Sequence, residues 1–87
     1  MNSNKAIVIF NITSRNFSVD LEIPTDITAN DLVYALNSAY NLGIDVADIS
    51  NCYLKAENPI ALLKGNRTLS EFGIRNGSLI FYTDWGA

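Results

Sequence analysis

Apolar and polar positions follow a period of two along most of this chain, and one stretch departs from it. From Thr28 to about Asn41 the spacing is helical. Leu32, Val33, Leu36, Ala39 and Tyr40 fall at i, i+1, i+4, i+7 and i+8 and share one side of a helix, with Asn30, Asp31, Asn37, Ser38 and Asn41 on the other. Thr28 and Asp31 have the spacing of a capping box, and Ile27 is placed to staple onto Leu32. Gly43 suits the left-handed conformation past the last turn, with Ile44 as the apolar residue that follows it. Tyr34 stands on the polar side.

The remaining apolar segments read as strands. Lys5 to Ile12 is rich in β-branched residues and sets Ala6, Val8, Phe10 and Ile12 on one face, Ile7, Ile9 and Asn11 on the other. The face that stays apolar throughout is expected to meet the helix. Ser14-Arg15-Asn16 is a polar turn. Phe17 to Ile23 alternates cleanly, with Phe17, Val19, Leu21 and Ile23 inward, and returns antiparallel to the first strand until Pro24 ends it. Ile44 to Ser50 is a loop. Asn51 to Ala56 is a third strand with Cys52 and Leu54 inward and Tyr53 and Lys55 outward. Asn58-Pro59 turns into a short edge strand, Ile60 to Leu63. Lys64-Gly65-Asn66 is another turn, Thr68 to Phe72 one turn of helix over a buried Leu69, and Ser78 to Thr83 the last strand, entered through Arg75-Asn76-Gly77. There is no internal repeat and no linker. One helix laid across a mixed sheet is an α+β architecture, a single domain over 1–87 with an ordered core of about 5–83.

Strand–turn–strand–helix followed by Gly43-Ile44 resembles the first half of ubiquitin. Asn66-Arg67-Thr68-Leu69-Ser70-Glu71-Phe72-Gly73-Ile74 resembles the stretch that leads to ubiquitin's last strand, with Phe72 where ubiquitin carries a tyrosine. Within the ubiquitin-like proteins, Phe10-Asn11-Ile12, Asp20-Leu21-Glu22-Ile23-Pro24 and Ile74-Arg75-Asn76-Gly77 look most like the small bacterial YukD/EsaB family of type VII secretion systems. The resemblance runs from Ala6 to Thr83. It implies a ubiquitin-like β-grasp, a mixed sheet of four to five strands packed on one helix, with the last strand parallel to the first at the centre. Ile80 and Tyr82 then point inward, Leu79 and Phe81 outward. It also implies a cytosolic accessory or regulatory component of the secretion apparatus that works by protein–protein contact, with a ubiquitin-like docking module unrelated to secretion as the alternative.

Composition narrows the chemistry. The 87 residues are 48% hydrophobic and carry a net charge of −3, six Lys plus Arg against nine Asp plus Glu, with no basic run for a nucleic-acid backbone. No apolar stretch approaches the roughly 20 residues of a membrane helix. The opening Met1-Asn-Ser-Asn-Lys5 lacks the apolar core of a secretory signal, so the expected location is the cytoplasm. One cysteine fits a reducing compartment. The absence of histidine removes Ser-His-Asp and Cys-His nucleophiles and every His-containing metal site, and Cys52 has no basic neighbour to make it a thiolate. Asp45 and Asp48 alone are a weak metal signal. The expectation is a protein without catalytic residues, cofactor, metal or small-molecule substrate. Conjugation or sulfur transfer works through a flexible Gly-Gly tail, so with Thr83-Asp84-Trp85-Gly86-Ala87 a modifier or sulfur carrier is the less expected alternative.

The candidate partner site follows from the strand order that the resemblance implies. With Ala6, Val8, Phe10 and Ile12 under the helix, Ile7 and Ile9 face away from it, and Phe81, Leu79 and Tyr53 join them on the outer sheet face. The YukD/EsaB relatives mostly carry polar residues at the positions of Ile7 and Ile9. Soluble monomers seldom leave such a contiguous apolar patch without a use. A protein of the secretion apparatus or a second copy of the chain is expected to dock there. The alternative is that Trp85 and the tail cover it.

Overall fold

The computed structural model describes residues 4–83, with the backbone alone for 49–51. Strand β1, Lys5–Ile12, turns through a short 3-10 segment, Thr13–Arg15, into β2, Phe17–Pro24. Asn16 ends that turn in the left-handed region, which asparagine tolerates better than most side chains. Helix α1 spans Ala29–Tyr40. Three shorter strands follow, β3 Leu54–Glu57, β4 Ala61–Leu63 and β5 Leu79–Tyr82. They form one sheet in the order β2-β1-β5-β3-β4. β5 runs parallel to β1 at the centre, and the other pairings are antiparallel.

The helix begins as the sequence predicts. Thr28 Oγ1 accepts from the Asp31 N–H, and the Asp31 carboxylate accepts from the Thr28 N–H, closing the capping box. The other first-turn amides find partners across the molecule. Ala29 N–H donates to the Arg67 carbonyl and Asn30 N–H to that of Gly65, both at 3.0 Å, while Leu32 N–H returns to the Thr28 carbonyl. All four amides that a helix start leaves open are therefore satisfied.

The helix end differs from the expectation. Asn41, not Gly43, is the first left-handed residue, and the N–H groups of Asn41 and Leu42 both turn back to the Asn37 carbonyl. Leu42, not Ile44, is the buried residue that follows. The Asn37 side chain then holds both the N–H and the carbonyl of Ile44. The last turn of α1 has no basic residue of its own. Arg15 supplies one from the β1–β2 turn, donating at 2.8 Å to the carbonyls of Tyr40 and Asn41.

The buried face of α1 is Ala29, Leu32, Val33 and Leu36. Ala39, placed on the stripe by spacing, is exposed, because it lies at the stripe's margin with only a methyl to reach inward. Beneath the helix the sheet contributes Ala6, Val8, Phe10, Ile12, Ile23, Leu54, Ala56, Leu63, Ile80 and Tyr82, so the inward rows of β1 and β5 are those expected. Phe17 shares the helix side but sits at the sheet edge, 39% exposed. Its ring rests on Tyr40, which also meets Phe10, with centroids 5.7 and 5.3 Å apart.

The third strand starts later than the pattern suggests. Val46–Asn51 winds in 3-10 turns kinked at Asp48, and Tyr53 and Cys52 precede β3 rather than lie on it. Asp45 opens the first of these turns: its carboxylate accepts from Ala47 N–H and its carbonyl from Asp48 N–H. Cys52 is half-buried against the core, and its thiol is pushed up by burial and by the Asp48 and Asp45 charges, away from nucleophilic thiolate character.

Thr68 to Phe72 does form one turn, with Phe72 N–H reaching the Thr68 carbonyl and Leu69 fully buried. Thr68 and Glu71 cap it reciprocally. The Thr68 N–H bonded to the Glu71 carboxylate holds that carboxyl below its ordinary value of 4.5, helped by the Thr68 hydroxyl and Arg67. A group with a depressed folded-state pKa stabilises the fold above its unfolded value and loses that contribution as pH falls through the folded one. Denaturation midpoints measured from pH 6 down to pH 3 should therefore fall less steeply in Glu71→Gln than in the wild type. Identical profiles would mean that this cap does not persist in solution.

Ser78, the buried polar side chain among the described residues, is satisfied twice: Oγ donates to the Asn58 carbonyl at 2.7 Å and accepts from Arg75 N–H. It fastens the β3–β4 turn to the approach of β5.

Candidate functional site

The side of the sheet away from α1 has no layer over it among the described residues, and the strand registers determine which side chains meet there. One row crosses β4, β3, β5 and β1 as Leu62, Lys55, Phe81 and Asn11, ending at Ser18 on β2. The next row is Glu57, Leu79, Ile9 and Asp20, and Ile7 stands beside Glu22 beyond it. Ile7 is 53% exposed, while Ile9, Leu79 and Phe81 are half-buried by one another and by their neighbours.

Of the sequence-derived set, Ile7, Ile9, Leu79 and Phe81 thus share this face. Tyr53 departs from the expected arrangement: it lies ahead of β3, half-buried, and Lys55 is the residue beside Phe81. Two residues were missed. Ile60, in the turn just before β4, is 90% exposed, and Leu62, on β4, is 54% exposed. An apolar run such as Ile60-Ala61-Leu62-Leu63 on an edge strand buries one face only, so two of its members had to be exposed. Choosing which two requires the β3–β4 register, in which Leu63 faces Leu54 in the core and Leu62 faces Lys55 outside.

These residues enclose a groove of about 450 Å³ between β3, β4 and β5. Ile60, Leu62 and Phe81 form its apolar wall, and Lys55 and Glu57 place one charge of each sign at its rim. A smaller hollow of about 240 Å³ lies on the other side of Phe81, between Asn11, Thr13, Asn16 and Phe17. Phe81 is therefore the ridge between two depressions. Apolar floor, polar rim and an aromatic ridge suit the burial of a partner's side chains.

Backbone bonds brace the face from its β1 end. The Asn76 side chain accepts from Ile7 N–H at 2.8 Å, Gly77 N–H donates to the Ile7 carbonyl, and Ile9 N–H to that of Ser78. Among the described residues no group of three or more His, Cys, Asp or Glu could hold a metal ion, and no helix is long and apolar enough to cross a membrane. The suggested cover by Trp85 lies outside the described residues.

The fold is shared with ubiquitin-like domains of known structure. The C-terminal ubiquitin-like domain of mouse tubulin-specific chaperone e superposes with a TM-score of 0.75 at 13% identity, covering 100% of this chain and 93% of that one. Tubulin-binding cofactor B of Trypanosoma brucei gives 0.70 at 9% identity, covering 95% and 98%. The UBL domain of Plasmodium falciparum Dsk2 gives 0.57 at 22%, covering 88% and 96%. At these identities the likeness establishes the fold alone. No curated protein sequence matches significantly. The family model for the WXG100 protein secretion system (Wss) protein YukD, however, matches residues 7–81. That span takes in most of β1 through most of β5, and with it part or all of every strand that builds the outer face. The chain belongs to the YukD family of WXG100 secretion-system proteins.

Proposed function

We propose that this protein is a non-enzymatic, cytoplasmic accessory or regulatory component of a WXG100-type (type VII) secretion system, and that it acts by binding a protein of the apparatus on its outer sheet face. The observation that carries this reading is the grouping of Ile7, Ile9, Leu79, Phe81, Leu62 and Ile60 on a face without a covering layer among the described residues. A patch of that kind costs solubility unless a partner uses it. Family membership supplies the cellular setting, and the ubiquitin-like fold supports docking rather than chemistry.

The test is genetic. Deletion of the gene should alter export of the small helical WXG-type substrates, and wild-type protein should restore it while folded Phe81→Glu should not. Unchanged export in the deletion strain would remove the secretion assignment. Full rescue by Phe81→Glu would remove the docking face while leaving the secretion role. Neighbouring genes for such substrates and for an FtsK-like ATPase are expected as well.

A further inference from the structure

The sheet has two edges, and they are unlike. β4 is three residues long and offers little to pair with. β2 runs for eight residues, Phe17–Pro24, in one-to-one register with β1 and without a bulge. It has no lysine, and its proline is its last residue; the charges along it, Asp20 and Glu22, repel an acidic strand and leave the edge open to a basic one. Among the described residues no strand pairs with its open side.

The bonding on the paired side shows which backbone groups face outward. Thr25 N–H donates to the Asn4 carbonyl at 2.6 Å, which makes that a hydrogen-bonded pair, and such pairs alternate with non-bonded ones along an antiparallel ladder. Val19, Leu21 and Ile23 therefore direct their N–H and C=O groups to β1. Ser18, Asp20 and Glu22 direct theirs to the open edge. The β1 side agrees, since Ile7 and Ile9 bond to Gly77 and Ser78 at the approach to β5.

Two rows of side chains flank this edge. On the helix side Phe17, Val19 and Leu21 stay partly exposed, although each faces a fully buried β1 residue, Ile12, Phe10 or Val8. The helix covers β1 and leaves β2 with an uncovered strip. On the outer side Ser18, Asp20 and Glu22 are all exposed. β2 has no basic residue, and β1 has only Lys5, at the far end opposite Pro24.

We propose that the β2 edge receives an extended segment of a partner protein in which basic and apolar residues alternate, added as a sixth strand. Its backbone would bond to Ser18, Asp20 and Glu22. Its apolar residues would extend the Phe17, Val19 and Leu21 row, and its basic residues would lie opposite Asp20 and Glu22. A second copy of this chain is the poorer occupant. Pairing β2 with itself over most of its length sets Asp20 and Glu22 of one copy opposite or diagonal to the same acids of the other. This edge is separate from the outer-face groove, so the two sites can be tested apart.

The probe is an end-blocked peptide, Lys-Val-Arg-Ile-Lys-Val, titrated into the full chain and followed by amide NMR. Glu-Val-Asp-Ile-Glu-Val and a same-composition peptide with the alternation broken serve as comparisons. The basic alternating peptide should bind best, shift the amides of Ser18, Asp20 and Glu22, and slow their hydrogen exchange. Asp20→Pro removes one edge-facing N–H and no β1–β2 bond, and should weaken binding about tenfold or more. Asp20→Lys with Glu22→Lys, both at exposed sites, should invert the preference toward the acidic peptide. That second variant keeps the test decisive if the proline variant does not fold. Absent binding, equal binding of the three peptides, or shifts centred on Leu62 and Phe81 would overturn the proposal. Dimerisation of the chain alone through β2 would overturn it in favour of a second copy.

Discussion

Replacing Leu36 by alanine is expected to cost about 2–5 kcal/mol of folding stability, the range for a buried large-to-alanine change. Leu36 is 5% exposed at the centre of the buried face of α1, between Leu32 and Val33 one turn before it and Tyr40 one turn after. α1 is the one helix over this sheet among the described residues, so a cavity there cannot be filled by a second layer. Against a total of about 5–10 kcal/mol for a small domain, the loss takes most of the margin. Chemical denaturation should show a much lower midpoint at unchanged slope. Ala39→Lys is the control: because Ala39 is exposed, its effect should stay within about 0.5 kcal/mol. A Leu36→Ala protein as stable as the wild type, or a collapse in Ala39→Lys, would mean that a different face of the helix is buried.

The second large effect concerns association rather than stability. Ile9→Lys combined with Phe81→Glu should abolish binding to the partner, because it places charges in the middle of the apolar patch and on the ridge of its groove. The registers explain why the fold should survive. Position 9 faces Asp20 across β1–β2, and position 81 faces Lys55 across β3–β5. Each substitution therefore creates a cross-strand pair of opposite charge, where Ile9→Asp would have set two acids side by side. Specific interfaces bury roughly 800 Å² per partner, so losing the centre of the patch should be visible by sedimentation or pull-down. Binding that persists in the folded double variant would assign the contact elsewhere, and the β2 edge would then be the first surface to examine.

Groove and edge also differ in how they discriminate. On the proposed reading the groove would select the shape of inserted apolar side chains, with Lys55 and Glu57 at its rim. The edge would select backbone and alternation, with Asp20 and Glu22 favouring a basic partner. Phe81→Glu alone should leave the edge intact, because β1 separates β5 from β2 in the sheet, whereas Ile9→Lys also touches the edge through Asp20.

The sequence alone determined the features whose causes are local. A capping box needs only Thr28 and Asp31, three positions apart, and the buried stripe of α1 needs only a repeat of 3.6 residues, so the helix was readable to within a residue at either end. Phe17, Val19, Leu21 and Ile23 could be put on one face because a strand alternates. Ala6, Val8, Phe10 and Ile12 could be chosen over Ile7 and Ile9 because Asn11 interrupts the second set. The inward and outward rows of β5 came from the family resemblance, since Leu79 to Tyr82 is apolar on both faces. Local pattern failed at the start of the third strand, where Asn51, Cys52 and Tyr53 were read as strand but precede β3.

What the tertiary structure decided is adjacency. Which residue stands beside Phe81 depends on the register between strands far apart in sequence, and no short-range pattern carries that information. The register puts Lys55 there instead of Tyr53, Leu79 beside Ile9, and Leu62 outside with Leu63 in the core. It also leaves β2 at the edge, so that Asp20 and Glu22, which in sequence are the ordinary polar half of an amphipathic strand, flank an open row of backbone donors and acceptors. A single chain segment specifies which of its faces is apolar; only the pairing of distant segments specifies which apolar groups meet and which remain available to another protein.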